Sequence, residues 1–487
     1  MLWCMYISRL SSLRRLAAHR IGGAAVTLAA TLAGYVALAW CGQQFLGAGS
    51  GIASFWPPNG LIVSLLVLLP ARLRPWVAAA VLPGELVADS LQGQPVLAAL
   101  GWGTTNLLEA VVAVAILMRV ARRSPLFDTQ RDFFALAVAA VSAPLAGGLL
   151  GAAVSYASYG GSYGRAWLTW WLGDATGILL VVPLVVSLAR PGALRMPLER
   201  LAGLAEVGVV IGVAAGVFGF TTTMPIEFLV LPPLVLLALR QGLRLTAVAG
   251  VSFAIVATIF TGHGRGPLSY VQDVALRVMG LQAFILTTAF VAFLICATIA
   301  ERRRAEAAFV ELATHDSLTG LANRRLFMEQ LDRVASRRDR SSESAAVLYF
   351  DLDDFKKIND GLGHAAGDAV LVEVGRRLAA AAVREGDLVA RIGGDEFAAL
   401  LEPVDGIRGA ELSARRIAEV LERPFERGDV SIAIGVSVGA ALVGSNGDLA
   451  LHRADLELYR DKADSDPRPA VGTRTRSVVP GLIATAS

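Results

Sequence analysis

Lysine is nearly missing from this chain. Of 44 basic residues only three are lysines, Lys356, Lys357 and Lys462; every other is arginine. A sequence that otherwise always chooses the planar guanidinium keeps lysine where a compact ammonium is wanted. Cysteine is scarce as well: Cys4, Cys41 and Cys296 form no CxxC pair and no metal-ligand spacing, and they read as small apolar residues in helices. Excess charge is also absent. The 44 basic and 41 acidic residues leave a net charge of +3, which gives no support to a nucleic-acid partner.

What the chain has in abundance is apolar surface. At 55% hydrophobic residues over 487 positions it is too apolar for one soluble domain. The apolarity lies before about residue 300, and from Glu301 onward the text turns charged. Ten apolar stretches occupy roughly 22–43, 58–70, 75–89, 96–118, 133–156, 167–189, 203–220, 226–239, 245–261 and 278–299. Several fall short of the ~20 residues of an untilted span, so eight to ten spans are expected. Arginine checks the count. If the N-terminal segment 1–20 (Arg9, Arg14, Arg15, Arg20) is cytoplasmic, alternate loops should be basic. They are: Arg72 and Arg74; Arg119, Arg122, Arg123 and Arg131; Arg190, Arg195 and Arg200; Arg240 and Arg244; then Arg302, Arg303 and Arg304. Both termini are therefore expected in the cytoplasm; the first 20 residues resemble a signal-peptide n-region, but a small-residue cleavage site is not obvious, and an uncleaved first span is the expectation.

Glu85, Asp89, Asn106, Glu109, Asp174 and Glu227 interrupt these stretches. Charge at membrane depth is costly, so such residues usually face the bundle interior; Glu85, Asp89, Glu109 and Asp174 make a candidate sensor pocket, unless they sit at the interface. Two segments are unusual: Phe55-Trp56-Pro57-Pro58-Asn59-Gly60 breaks helix geometry before a span, and Trp170-Trp171 precede Gly173-Asp174. FWPPNG together with WLTWWLGDATGILLVVP resembles the MASE-type membrane-associated sensor domain over about 21–300, which implies a sensory role. From Ala297 to Thr314 there is no Gly or Pro, and a helix joining the two halves is expected. Ala305, Phe309 and Leu312 are spaced to line a short two-helix seam.

Beyond this joint the periodicity becomes α/β. AVLYFD (346–351) reads as a buried strand ending in an acid; 388–392 and 395–401 read as a hairpin turning at Gly393-Gly394; a later strand is expected over 431–443. Helices are expected at about 322–337, 367–382 and 408–424. If the first two strands are neighbours, Asp351 meets Asp395 and Glu396 at one edge. Converging acids need a hard cation, and Mg²⁺ favours one or two carboxylates plus substrate phosphates. Lys356 and the amides after Asp353 suit a terminal phosphate, and two glycines leave a nucleotide room. These are the parts of a metal-dependent nucleotidyl-transfer site.

The ordered set DSLTGLANRR (316–325), DLDDFKKIND, GHAAGD (363–368), RIGGDEF (391–397), SVGAAL (437–442) and ADLELYRDK (454–462) resembles the GGDEF family of diguanylate cyclases over about 305–465. The whole is thus expected to be a multi-pass α-helical membrane domain followed by an α/β GGDEF domain with a nucleotide-cyclase-like palm. The resemblance implies a membrane-bound homodimer at the bacterial inner membrane that makes cyclic di-GMP from two GTP, using two Mg²⁺ per site, with Mn²⁺ able to serve. It implies metal binding by Asp351, the Leu352 carbonyl and Asp395. Glu396, with Asp395, is implied in catalysis, and Asn359 and Asp368 in guanine reading. Asp354, Phe355, Lys356 and Lys462 are implied in phosphate binding, and Gly393 and Gly394 lie under the nucleotide. Arg384 and Asp387 match a product-binding inhibitory motif; an ordinary surface pair is the plain alternative.

The C-terminal motif departs from the family. Glu457 and Asp461 replace small residues, and Asp466 stands where the family has an arginine, with Arg468 nearby. An acid beside the triphosphate would weaken GTP binding, which keeps open a catalytically weak GTP- or cyclic di-GMP-binding regulator. Ten spans with buried acids also fit a transporter with a regulatory tail. Residues 466–487 are expected to be disordered. No EAL-type phosphodiesterase motif follows the cyclase motifs.

Overall fold

A computed structural model describes residues 20–44, 55–121, 127, 129–190, 201–220, 224–337, 344–381, 387–427, 430–464 and 474–475. The chain divides into two compact units, Met1–Arg304 and Ala305–Ser487.

The first unit is helical: α1 (Arg20–Gln44), α2 (Pro57–Leu68), α3 (Arg74–Ala79), α4 (Val81–Ser90), α5 (Val96–Ala121), α6 (Gln130–Tyr159), α7 (Tyr163–Leu188), α8 (Leu201–Gly219), a 3-10 turn (Glu227–Val230), α9 (Leu231–Gln241), α10 (Leu243–Gly262) and α11 (Val274–Thr314). Among the described residues, seven helices are long and apolar enough to cross a membrane. The other three expected stretches fold as shorter pieces. The second becomes the 12-residue α2 and the third divides into α3 and α4. The eighth becomes a 3-10 turn followed by α9. Proline explains the starts of α2, α3 and α9, with Pro57-Pro58, Pro75 and Pro232 all in first turns, where a missing N–H costs nothing.

The two segments singled out from sequence pack on each other. Trp56 N–H donates to the Gly173 carbonyl at 3.3 Å. A Cβ on Gly177 would lie 2.0 Å from the Trp56 carbonyl oxygen, and one on Gly60 would lie 2.5 Å from the Gly177 carbonyl oxygen. Only glycines allow α2 to enter against α7 this closely. Helix α11 has 41 residues, which at 1.5 Å per residue is about 60 Å, roughly twice a hydrocarbon core. Its far end leaves Phe309 and Leu312 exposed, at 72% and 70%.

The second unit contains β1 (Ala322–Asn323), α12 (Arg324–Arg337), β2 (Ser344–Leu352), α13 (Phe355–Leu362), α14 (His364–Ala381), β3 (Leu388–Gly393), β4 (Glu396–Val404), α15 (Gly406–Leu421), β5 (Phe425–Arg427), β6 (Val430–Ile432), β7 (Val436–Leu442), α16 (Gly447–Asp464) and β8 (Arg474–Thr475). A five-stranded sheet runs β1-β3-β4-β2-β7, and β5-β6-β8 form a small second sheet. β2 lies inside the larger sheet and is apolar on both faces, as the unbroken AVLYF run requires. Leu348 and Phe350 face Val370, Val374 and Ile417; Val347 and Tyr349 face Phe327, Leu331 and Ala454. The single strand expected over 431–443 is in fact two, β6 and β7, in different sheets. Of the segment 466–487, only Arg474–Thr475 is described, paired with β6; the rest of that segment, Asp466 and Arg468 included, lies outside the described residues.

Candidate functional sites

The first site grows from the β2–β4 pairing. These strands are antiparallel neighbours, with Asp351 directly opposite Glu396, and Leu352 N–H donates to the Asp395 carbonyl at 3.3 Å. The acids expected to meet at one edge therefore do. The hairpin turns one residue later than expected: Gly393 pairs with Glu396, and the two-residue loop is Gly394-Asp395. Such a loop favours positive φ at its first position, which Gly394 supplies at 42°. Asp395 thus stands at the tip, and both acids are half-buried.

Lys462 completes this edge. Its Nζ donates to Asp351 Oδ1 at 2.6 Å, so an ammonium already sits on the carboxylate expected to bind metal. The reach depends on α16 lying close to β7: a Cβ on Gly439 would fall 1.9 Å from the Ala454 carbonyl oxygen. The two unfamiliar acids of this helix are otherwise engaged. Asp461 accepts from Val438 N–H at 3.3 Å, and Glu457 from Arg460 at 2.6 Å. The oxygen donors of Asp351, Leu352 and Asp395, with a cation already held at Asp351, fit a hard divalent ion. Among the described residues no three Asp, Glu, His or Cys side chains gather around one metal position. That suits an ion completed by substrate phosphates more than a protein-only cage.

The turn after β2 is tight. Asp354 adopts φ 54°, a left-handed conformation, just before α13, and its carboxylate accepts from Lys357 at 2.8 Å. Phe355 is buried beneath the turn and Lys356 is exposed. Asn359, on α13, lies against Gly367 of α14, where a Cβ would come within 2.0 Å of Asn359 Oδ1. Asp368 is the next residue, exposed, so the two expected guanine readers adjoin. Asp387 Oδ1 accepts from Glu402 N–H at 3.3 Å; Arg384 lies outside the described residues.

Two partnerships here carried no signal in the sequence. Arg391 reaches both carboxylate oxygens of Asp316, at 3.1 and 3.2 Å, while its other nitrogens donate to the Gly394 carbonyl at 3.0 and 2.8 Å. Burial pushes the Asp316 carboxyl up, but hydrogen bonds from Thr319 and the Arg391 guanidinium outweigh it and hold the group below its ordinary range. The second is Tyr349, which shares a face with Asp351 and lies diagonal to Glu396 across the pair. Burial first, and then the Glu396 carboxylate, pushes its phenol upward. Each residue lies in a recognisable motif, but only the register joins them.

The second site lies in the membrane unit. Tyr35 Oη donates to Glu85 Oε2 at 2.6 Å, and Asn106 Nδ2 contacts Glu85 Oε1 at 3.2 Å and Tyr35 Oη at 3.1 Å. Asn59 Nδ2 lies 3.0 Å from Glu109, 3.2 Å from Asp174 and 3.3 Å from Asn106. Trp170 donates to Glu109 at 3.1 Å and Gln43 to Asp89 at 2.8 Å. The four expected pocket acids thus share one region and are buried. Glu227 does not join them; it belongs to the 3-10 turn before α9.

Comparison with known proteins agrees with both units. The MASE1 family matches residues 26–303, more than half of the chain. The family described as diguanylate cyclase, GGDEF domain, matches 313–468. The chain is 41% identical to diguanylate cyclase TpbB of Pseudomonas aeruginosa over 172 residues, 34% of this chain and 38% of that protein. It is 35% identical to diguanylate cyclase DgcP of Escherichia coli K12 over 181 residues, 36% of this chain and 52% of that protein. It is also 39% identical to cyclic di-GMP phosphodiesterase PdeR of the same organism over 176 residues, 35% of this chain and 26% of that protein. The chain therefore spans about half or less of the length of these relatives. It belongs to the MASE1 family of multi-pass membrane proteins and carries a GGDEF domain homologous to those of named diguanylate cyclases.

Proposed function

We propose that this protein is a membrane-bound diguanylate cyclase that joins two GTP into cyclic di-GMP under control of its membrane unit. The observation that carries the reading is the β2–β4 register, which sets Asp351 against the Asp395-Glu396 tip beside an open glycine turn. Asp351, Asp395 and the Leu352 carbonyl would hold two Mg²⁺, or Mn²⁺ in their place. When bound, these ions neutralise phosphate charge and polarise the reacting phosphorus. The protein's own residues align the substrate. Asn359 and Asp368 read guanine, the turn at Asp354, Phe355 and Lys356 holds the terminal phosphates, and Lys462 moves from Asp351 to phosphate as nucleotide arrives. Glu396 accepts the proton of the ribose 3′-hydroxyl.

One domain holds one GTP, so two copies must face each other, each 3′-hydroxyl attacking the α-phosphate opposite as pyrophosphate leaves. The exposed Phe309 and Leu312 on α11 supply an apolar seam for that dimer. Asp387, with Arg384, would bind product and inhibit. The alternating arginine loops support both termini lying in the cytoplasm of a bacterial inner membrane.

Incubating the full-length protein, reconstituted in nanodiscs, with GTP and Mg²⁺ tests this. Cyclic di-GMP from wild type and none from Asp395→Ala is expected. Absence of product from both, with GTP still bound, would favour a binding-only regulator.

A further inference from the structure

The membrane cluster is short of hydrogens. The Asn59 amide nitrogen carries two, yet three acceptors lie within 3.3 Å of it: Glu109, Asp174 and Asn106. Its own carbonyl oxygen, on a fully buried side chain, accepts from nothing. Asp89 Oδ2, on a side chain only 3% exposed, and Gln43 Oε1 are likewise acceptors without donors. The nearby Trp56 indole N–H is a donor without an acceptor, so the shortage is local to the carboxyl side. Among the described residues no basic side chain pairs with Glu85, Asp89, Glu109 or Asp174.

Glu109 and Asp174 approach one amide nitrogen from two helices, α5 and α7. Two ionised carboxylates this close, in a low-dielectric interior, repel strongly. A positive charge must come between them. The donor set does not favour a metal ion, since no three Asp, Glu, His or Cys side chains converge among the described residues. A bulky cation does not fit either, because a Cβ on the facing Gly147 of α6 would lie 2.2 Å from Glu109 Cγ. The positive charge that needs no room is a proton.

We propose that Glu109 and Asp174 form a proton-binding site that holds one shared proton, and that its loss is an input the membrane unit reads. Binding forms one O–H bond on either carboxyl and breaks none. The titratable groups facing the pair are Tyr35 on α1 and Glu85 on α4, with Asp89 farther along α4 beside Glu85; α2 and α6 bring Asn59 and Gly147, which do not titrate. Asp89 lies one turn beyond Glu85, and the exposed Gln94–Tyr159 contact lies past it, which gives the proton a polar way in. A way out for the signal is also present. Thr169, one turn before Gly173-Asp174 on α7, accepts through its carbonyl from Gln282 Nε2 at 3.1 Å. Gln282 is fully buried on α11, the helix that continues to Thr314. New charge at Asp174 acts on α7, and α11 is bonded to α7 at that level.

Infrared difference spectroscopy of the full-length protein in nanodiscs, across a pH titration, reads the proton directly. A carbonyl band of a protonated carboxyl is expected in wild type, lost in both Glu109→Gln and Asp174→Asn and kept in Glu227→Gln. A wild type without such a band overturns the proposal even if neither cluster variant folds; so does a band that both variants retain. The readout needs no nucleotide, so it stands or falls apart from the cyclase reading. The signalling half is tested by the pH dependence of cyclic di-GMP synthesis, expected in wild type and flattened at least several-fold in Glu109→Gln. Equal pH dependence in the two overturns it.

Discussion

The Lys462 ammonium nitrogen lies 2.6 Å from Asp351 Oδ1, across 111 residues of chain. One of the three lysines in the protein thus neutralises the carboxylate at the head of the site. The contact is also one that substrate must rearrange, because a single ammonium cannot serve Asp351 and a triphosphate fully at once.

Replacing Lys462 by alanine should therefore harm substrate binding more than folding. The pair is partly exposed, 38% at lysine, and surface pairs contribute at most about 1 kcal/mol to stability. A charged hydrogen bond to phosphate is worth ~1.5–3 kcal/mol, or about 10- to 150-fold in KM for GTP. Lys462→Arg should recover only part of this, since a planar fork does not replace a point charge. Steady-state kinetics over GTP concentration separates the two variants.

Gly367→Ala is expected to separate activity from stability. The new Cβ would meet Asn359 Oδ1 at 2.0 Å and swing the amide away from the guanine position. A lost hydrogen bond to the base of about 1 kcal/mol or more raises KM at least several-fold. Within α14 the same change removes a helix-interior glycine, worth up to ~1 kcal/mol in favour of the fold, so the melting temperature should hold. A large fall in melting temperature would show that Gly367 serves packing instead.

The Asp316–Arg391 pair predicts a definite pH dependence. Its carboxyl is held below its ordinary value in the fold, so the stability it adds is fully present above the unfolded value, about 3.9, and disappears as pH falls through the folded value. Asp316→Asn should cost ~1–3 kcal/mol at neutral pH, with side chains only 22% and 15% exposed. The gap between variant and wild type should close below about pH 4. Urea unfolding of a fragment beginning at Ala305, followed by circular dichroism, measures both ends. A gap that persists in acid would mean the carboxylate charge is not the cause.

Gly439→Ala should disrupt the seat of Lys462. Its Cβ would overlap the Ala454 carbonyl oxygen at 1.9 Å, and backbone cannot swing aside as a side chain can. Forcing α16 off β7 should cost ~1–3 kcal/mol and, unlike Gly367→Ala, lower the melting temperature and activity together.

Much of this architecture was legible beforehand because it rests on local signals. Apolar length marked the seven membrane-length helices, and the buried run AVLYF the central strand. The later strand differs from its expected form for a reason equally physical. Residues 431–443 read as one β-rich run, yet it breaks between Ile432 and Val436, and the two pieces join different sheets. The hairpin turn shifted by one residue because the positive φ falls at Gly394, and a Gly-Gly pair alone does not say which glycine takes it.

The sequence by itself determined a charge-poor helical half, a charged α/β half, the order of the motifs and the identity of nearly every side chain at both sites. Tertiary structure alone decided who meets whom. Asp351 faces Glu396 through strand register, Lys462 reaches Asp351 because a glycine lets a helix lie on a strand, and Glu109 approaches Asp174 because two helices share Asn59. Chemistry is written residue by residue, but repulsion, hydrogen supply and reach depend on distances between segments far apart in the chain, and packing sets those.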